Sequence, residues 1–420
     1  MRRTGALHRP RLSIVEVRVH LGRTTRLLGV AAVVLVAAVT GCSSTPGAAS
    51  AAACDSPGVT PGEMNLGLVF SDSGVGSAAF ASARAGADAR FGLANEEGGV
   101  HGRKIVYQWR DDANDPSQNA RVIQELLRGD SAFGLVTITT AFGSAPADLA
   151  KQNVPVIGFG LPTLAEYQNM FSTMYQASPV TIGRYLRDSG GSKVGVVITG
   201  SSASTLDVIK MYKSAFESVG LTVADTISYA HSVDSPARVV QQLAASGVNA
   251  LVGFTTTEDL AEIMGAVRTA NLNLATTVSF TGYDQGLLPT LGPALAGVSI
   301  PAYFRPFEAG GAAIDRYRAA MVRYAPEATQ PDQQFAMNAY IYADMFVRGL
   351  DLAGDCPTRD GFISALRSAS DYDAGGLIEP VNLATNRTGA LNCYAFVQVN
   401  PTGTGFQVAR PRLCADGTTG

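Results

Sequence analysis

The sequence predicts an α/β protein made of two doubly wound parallel-sheet lobes. Two observations lead there. From Met64 onward, short apolar runs alternate with helical patterns, and this alternation comes in two separate series. The 378 residues that follow Cys42 also exceed what one core usually fills. Strand–helix alternation implies parallel strands whose right-handed crossovers cover both faces of a sheet.

In the first series, residues 64–70 (MNLGLVF) form a β-type run. Ala83, Ala87, Phe91 and Ala94 then recur at helical spacing, and Gly98-Gly99 ends that helix. Residues 104–110 make a second strand. Asp115-Pro116 opens the next helix, because Asp accepts free N–H groups and Pro lacks the N–H that would go unbonded there. Val122, Ile123, Leu126 and Leu127 form its apolar stripe. Residues 133–138 and 154–159 are strands around a helical stretch at 144–152. The second series runs from a strand at 193–199 (KVGVVIT) through a helix lined by Ile209, Tyr212, Phe216 and Val219. A strand at 223–229, a helix at 235–246 and a strand at 249–254 follow. Beyond these, residues 277–281 and 297–303 read as strands. Phe335, Ala339, Tyr342, Phe346 and Leu350 mark a long helix, with another at 358–369, and residues 392–399 and 405–410 form a hairpin.

The N-terminus is an export signal. Seven arginines lie within residues 1–26, an uncharged apolar run covers residues 27–39, and Thr40-Gly41-Cys42 follows. A basic flank, a short apolar core and small residues at the cleavage point fit a secretory signal, and the run is short for a bilayer span. Val39-Thr40-Gly41-Cys42 resembles a bacterial lipobox, in which the cysteine thiol receives a diacylglycerol and the new amino terminus is acylated, as with palmitate. Residues 1–41 are thus expected to be a signal peptide, and 42–61 a lipidated cysteine with a flexible tether of small residues. The expected location is the extracytoplasmic face of the cell membrane, held there by lipid on Cys42.

Residues 1–41 carry seven of the 32 basic residues and one of the 35 acidic ones, so the remainder has nine net negative charges. That balance gives no electrostatic footprint for nucleic acid. Cys54, Cys356, Cys393 and Cys414 suggest two disulfides in an oxidising compartment, with three possible pairings, and their spacing matches no zinc motif. The run Asp111-Asp112-Ala113-Asn114-Asp115 has the spacing of a magnesium-binding DDxxD box, but it lies between a strand and a helix cap, which points to a structural role. His101 and His231 stand outside any HExxH pattern, and the sequence holds neither a Gly-x-Ser-x-Gly elbow nor a phosphate loop. No catalytic residue, metal or cofactor is expected, and the chain does not read as an enzyme.

Five segments carry a family resemblance. They are Gly67-Leu68-Val69-Phe70-Ser71-Asp72-Ser73-Gly74, Asn95-Glu96-Glu97-Gly98-Gly99-Val100-His101-Gly102-Arg103-Lys104-Ile105, Asp111-Asp112-Ala113-Asn114-Asp115-Pro116, Asn153-Val154-Pro155-Val156-Ile157 and Tyr372-Asp373-Ala374-Gly375-Gly376-Leu377. Their order and spacing, from about Met64 to about Val399, resemble the type I periplasmic binding proteins, the leucine/isoleucine/valine-binding family. The resemblance implies two lobes joined by three crossings of the chain, with lobe 1 at 62–177 plus 279–375 and lobe 2 at 178–278 plus 376–414. It implies pairing of Cys54 with Cys356 at the base of lobe 1, and of Cys393 with Cys414 around the hairpin of lobe 2.

For the site, the family places a hydroxyl for the ligand's carboxylate after the third strand. Thr140 is the matching position, with Thr139 beside it. After the next strand the family often has Ala-x-Thr, whereas Gly160-Leu161-Pro162 stands here and Pro162 offers neither hydroxyl nor N–H. The family's aromatic position falls on Ala79, with Phe80 adjacent. Its amine-binding carboxylate aligns with Thr257, with Glu258 one residue later. The implied function is a monomeric solute receptor that delivers an amino acid or similar small polar metabolite to an ABC permease by hinge closure. The alternative is a sensor of the same fold that signals to a regulator. Replacing Cys42 with Ser should abolish membrane attachment while leaving the body folded, as detergent partitioning and circular dichroism of the exported protein would show.

Overall fold

A computed structural model describes residues 54–420 apart from Val75, 200–202 and Ser232, with the side chains of 203–206 and Asp225 also left aside. The expected signal peptide, Cys42 and most of the tether lie outside the described residues. Among the described residues, no helix is long and apolar enough to cross a membrane.

The first sheet is parallel, in the order β2-β1-β3-β4-β5. Its strands are β1 (Glu63–Phe70), β2 (Lys104–Asp111), β3 (Leu135–Ile138), β4 (Val156–Gly158) and the two-residue β5 (Met170–Phe171). The intervening helices are α1 (Ala83–Glu96), α2 (Pro116–Arg128) and α3 (Ala145–Lys151). As Asp115-Pro116 predicts, the Asp115 carboxylate accepts the N–H of Gln118 at 2.8 Å and Pro116 begins the helix. Val122, Ile123 and Leu126 of α2 are buried with Leu149 of α3 on one face of the sheet.

The second lobe starts with α4 (Pro179–Asp188) and continues through β6 (Lys193–Thr199), α5 (Ala203–Ser218), β7 (Thr222–Tyr229), α6 (Pro236–Ala245), β8 (Ala250–Phe254), α7 (Thr257–Thr269), β9 (Thr276–Ser279), α8 (Leu288–Leu295) and β10 (Val298–Ala302). The chain then returns to lobe 1 as α9 (Ala312–Tyr324), α10 (Gln334–Ala353) and α11 (Arg359–Arg367). It ends in lobe 2 with the hairpin β11 (Cys393–Val399) and β12 (Phe406–Cys414). The second sheet has the order β12-β11-β10-β9-β8-β6-β7, antiparallel only where β11 joins β10 and β12. Ile182, Leu186, Ile209 and Phe216 cover one of its faces, while Val239, Leu243, Leu260 and Ile263 pack with the other. Both sheets are doubly wound, as expected. On the far side of lobe 1, α10 buries Met337, Ile341, Met345, Phe346 and Leu350, and each such side chain contributes about 1.5–3 kcal/mol.

The lobe boundaries differ from those expected. Residues 297–303 fell within lobe 1 in the sequence reading, but β10 pairs in parallel with β9 and therefore belongs to the second sheet. The stretch from β9 through α8 to β10 is one more βαβ unit, so the return to lobe 1 begins only after Ala302. Residues 376–390 were assigned to lobe 2, yet Val381 N–H donates to Tyr372 O and Leu383 N–H to Ala369 O, which keeps them with lobe 1. Three crossings remain. The first and third run side by side, with Leu391 N–H on Gln176 O at 2.8 Å and Ser178 N–H on Leu391 O at 2.9 Å. On the second crossing, Arg305 N–H donates to Leu377 O at 2.7 Å. Four elements had no counterpart in the sequence reading, one of them the eight-residue α8 with Pro293 inside it. Helix α4 is only ten residues long, β5 only two, and α9 carries arginines through its amphipathic pattern.

Both expected disulfides are present. Cys54 pairs with Cys356, and Cys393 with Cys414 where those residues face each other across the β11–β12 ladder. The first closes a separation of 302 residues and the second one of 21. In the loop-entropy account the longer closure stabilises by about 2 kcal/mol more. The Cys54→Ser/Cys356→Ser pair should therefore lower the denaturant midpoint further than Cys393→Ser/Cys414→Ser, measured side by side in urea.

Candidate functional site

Because β1–β5 and β6–β10 run parallel within their sheets, their carboxyl ends lie along one edge of each, where ligands bind in open α/β sheets. The two edges face each other across a cleft holding a cavity of about 550 Å³. From lobe 1 its wall takes the turn after β1 (Gly74 and residues 76–80), Asn114, Thr140 and the first residues of α10. From lobe 2 it takes Phe254, residues 255–258 and residues 281–284.

The turn after β1 is braced from below. Asp111 accepts hydrogen bonds from the N–H groups of Asp72, Ser73 and Ala113 and from the Ser73 hydroxyl. Burial opposes its charge, but these donors prevail and hold the carboxyl below the usual aspartate range. Asp112, fully buried, takes the Ser71 hydroxyl at 2.7 Å, the Asn114 N–H and the Asn119 amide. Gly74 has φ +89°, and a Cβ there would lie 2.0 Å from the Ala113 carbonyl oxygen. The Asp-rich run thus ties β1, β2 and α2 together, the structural role its position predicts.

Of the residues singled out in the sequence, Thr140, Phe80, Thr257 and Glu258 line the cavity. Thr140 is exposed at the end of β3, with its hydroxyl 3.4 Å from Asn114 Oδ1. Phe80 packs on Phe335 (centroids 4.8 Å apart) and edge-on to Phe159 (5.9 Å), forming an aromatic wall. Across the cleft, Thr256 caps α7 by accepting the Asp259 N–H, and the Thr257 hydroxyl donates to Thr281 Oγ1 at 3.2 Å. Glu258 is exposed in the first turn of α7. Its neighbour Asp259 is buried and accepts the Thr199 hydroxyl at 2.6 Å, so it serves the scaffold.

Two of the expected ligand residues stand elsewhere. Thr139 is fully buried just past β3, with its hydroxyl accepting the Ala141 N–H at 3.0 Å and lying near Ser71. Gly160 is absent from the cavity wall. It packs against the next segment so closely that a Cβ would lie 1.7 Å from the Met174 carbonyl oxygen.

Other cavity residues were not anticipated. Tyr283 and Asp284 follow β9, where the rule that ligands bind at the carboxyl ends of parallel strands points to them. Burial raises the Asp284 carboxyl above its ordinary pKa, against the Gly286 N–H that donates to it. The Tyr283 hydroxyl donates to Glu308 and accepts the Phe307 N–H, both on the second crossing. Gln334 and Phe335 open α10, and the Gln334 N–H donates to the Tyr283 carbonyl at 2.9 Å. Phe335 belongs to the helical stripe visible in the sequence, but its place at the cleft depends on how lobe 1 is completed. Among the described residues, no group of histidine, cysteine and acidic side chains is arranged to hold a metal ion.

A two-lobed parallel-sheet protein with a cavity between facing strand ends is a solute-binding architecture. The sequence model of the periplasmic binding protein family matches residues 63–404, and the chain belongs to that family. Among curated proteins, none matches the sequence. Solved structures with the same fold include a fatty acid ABC transporter substrate-binding protein from Thermomonospora curvata, at 22% identity and TM-score 0.75, covering 87% of this chain and 96% of that one. A branched-chain amino acid ABC transporter protein from Thermus thermophilus with bound valine matches at 16% identity and TM-score 0.72, with coverages of 84% and 97%. A solute-binding protein from R. palustris in complex with benzoate matches at 16% identity and TM-score 0.70, with coverages of 83% and 96%. Gly160→Ala should lower the thermal midpoint of the ligand-free protein by several degrees, since backbone must move to admit the methyl group. Calorimetric melting of the purified variant checks this.

Proposed function

We propose that this protein is an extracytoplasmic receptor that delivers a small polar ligand, an amino acid or similar metabolite, to an ABC permease. The supporting observation is the cavity itself, whose walls come from strand ends of both lobes. A ligand held by both walls binds the closed arrangement better than the open one and shifts the population towards closure by that difference. The three crossings are the hinge. The closed form, presented as a monomer tethered by lipid on Cys42, is what the permease would recognise.

In this reading Thr140 contacts the ligand from lobe 1, Glu258 and Thr257 contact it from lobe 2, and Phe80 with Phe335 packs against its apolar part. Broad thermal-shift screening of a soluble form beginning just before Cys54 tests the receptor role, because bound ligand raises the midpoint by mass action. With a ligand in hand, Thr140→Val should weaken binding by about 1–2 kcal/mol through loss of one hydrogen bond. The same substitution should leave the ligand-free midpoint unchanged. Titration calorimetry against the surface control Lys213→Ala reads the first outcome, and unchanged affinity would remove Thr140 from the site.

A further inference from the structure

The charge of the cleft narrows the ligand class further, on the basis of the receptor reading above. Among the described wall residues, the charged side chains are Glu258 and Asp284, both acidic, with no lysine, arginine or histidine. Much of the remaining polar wall consists of hydroxyls, those of Ser77, Ser82, Thr140, Thr199 and Thr256 among them. A hydroxyl donates or accepts as required, so it does not select the sign of a ligand. Carboxylates do.

The donors a ligand carboxylate would need are largely spent. In the turn after β1, the N–H groups of Ser77, Ala79 and Phe80 already bond to Gly74 O, Gly76 O and Ser77 O. The loop after β4, with Gly160 and Pro162, stays out of the cavity wall. Two helix N-termini do reach the wall, each equivalent to about half a positive charge. Glu258 and Asp259 answer the dipole of α7 within its own first turn, and the leading N–H of α10 is taken by the Tyr283 carbonyl. Two carboxyl groups therefore face what remains of that positive field. A carboxylate here would lose its water beside like charges, with no cation to replace it.

An ammonium group meets the opposite conditions. It would lie in the field of Glu258 and Asp284, beside a wall that includes Phe80, Phe254 and Phe335, whose aromatic rings attract cations. Gln334 adds a buried acceptor, since its Oε1 has no partner while its Nε2 is held by the Phe280 carbonyl. We infer that the cleft binds a small organic amine with an apolar body and no free carboxylate.

The test compares matched probes by titration calorimetry at neutral pH. One set is 3-methylbutylamine, leucine and isovalerate, and the other is phenethylamine, phenylalanine and phenylacetate. An amine from at least one set should bind about tenfold or more tightly than its amino acid, and the acids should not bind. Glu258→Gln should weaken the amine about tenfold through loss of a charged hydrogen bond, with the ligand-free melting midpoint unchanged. An amino acid or acid that binds as tightly as its amine overturns the inference and leaves the receptor role standing. Failure of both amines overturns it as well, and silence across all six probes and the broad screen removes the receptor reading too. Unchanged amine affinity in Glu258→Gln would also overturn it, because the field would not then be what selects the ligand.

Discussion

Everything in this molecule depends on the chain passing between its two sheets three times, and on those passes being tied together. The hydrogen bonds that join Leu391 to Gln176 and Ser178 place the first and third crossings side by side, as a short two-stranded ribbon. A ribbon of this kind bends across its face more easily than it shears along its length, because shearing breaks both bonds and bending breaks neither. The second crossing is anchored separately, through Arg305 to Leu377. In the proposed receptor role, this arrangement would favour opening and closing of the cleft over sliding of one lobe past the other.

The same topology explains why the site consists of strand ends and little else. Loops that follow β1, β3, β8 and β9 converge because parallel strands finish on a common edge. The supports lie one layer below, in Asp111, Asp112 and Asp259, where carboxylates organise backbone turns. These acids are engaged by donors of the scaffold, whereas Glu258, one of the two acids on the cavity wall with Asp284, is exposed on the end of a helix. Hydrogen-bond engagement separates scaffold from site here more clearly than the presence of a carboxylate does.

Much of this was legible from the sequence. Alternating runs such as KVGVVIT and helix signals such as Asp115-Pro116 are local, and local physics determined them. The disulfide pairing followed from the family resemblance and agrees with the structure. What escaped the reading was set by tertiary pairing. Nothing near residues 298–302 announces that this strand joins β9 and not the first sheet, and the boundary of lobe 1 was misplaced accordingly. Thr139 and Thr140 are chemically identical neighbours, and only the burial of the first against Ser71 and Ala141 tells them apart. Gln334 and Phe335 reach the cleft because a helix placed late in the chain completes the first lobe, a relation no short window of sequence contains.

The bond between Cys54 and Cys356 has a mechanical consequence. Cys54 stands just before β1, and its partner lies between α10 and α11. A pull from the segment preceding Cys54 arrives first at this covalent junction and is passed to the helical layer behind the sheet. Without the bond, the same load would fall on β1, a central strand held to β2 and β3 by hydrogen bonds that could open one after another from its exposed end at Glu63. The bridge therefore acts as strain relief, and tension on the leading segment need not disturb the strand whose far end shapes the cleft.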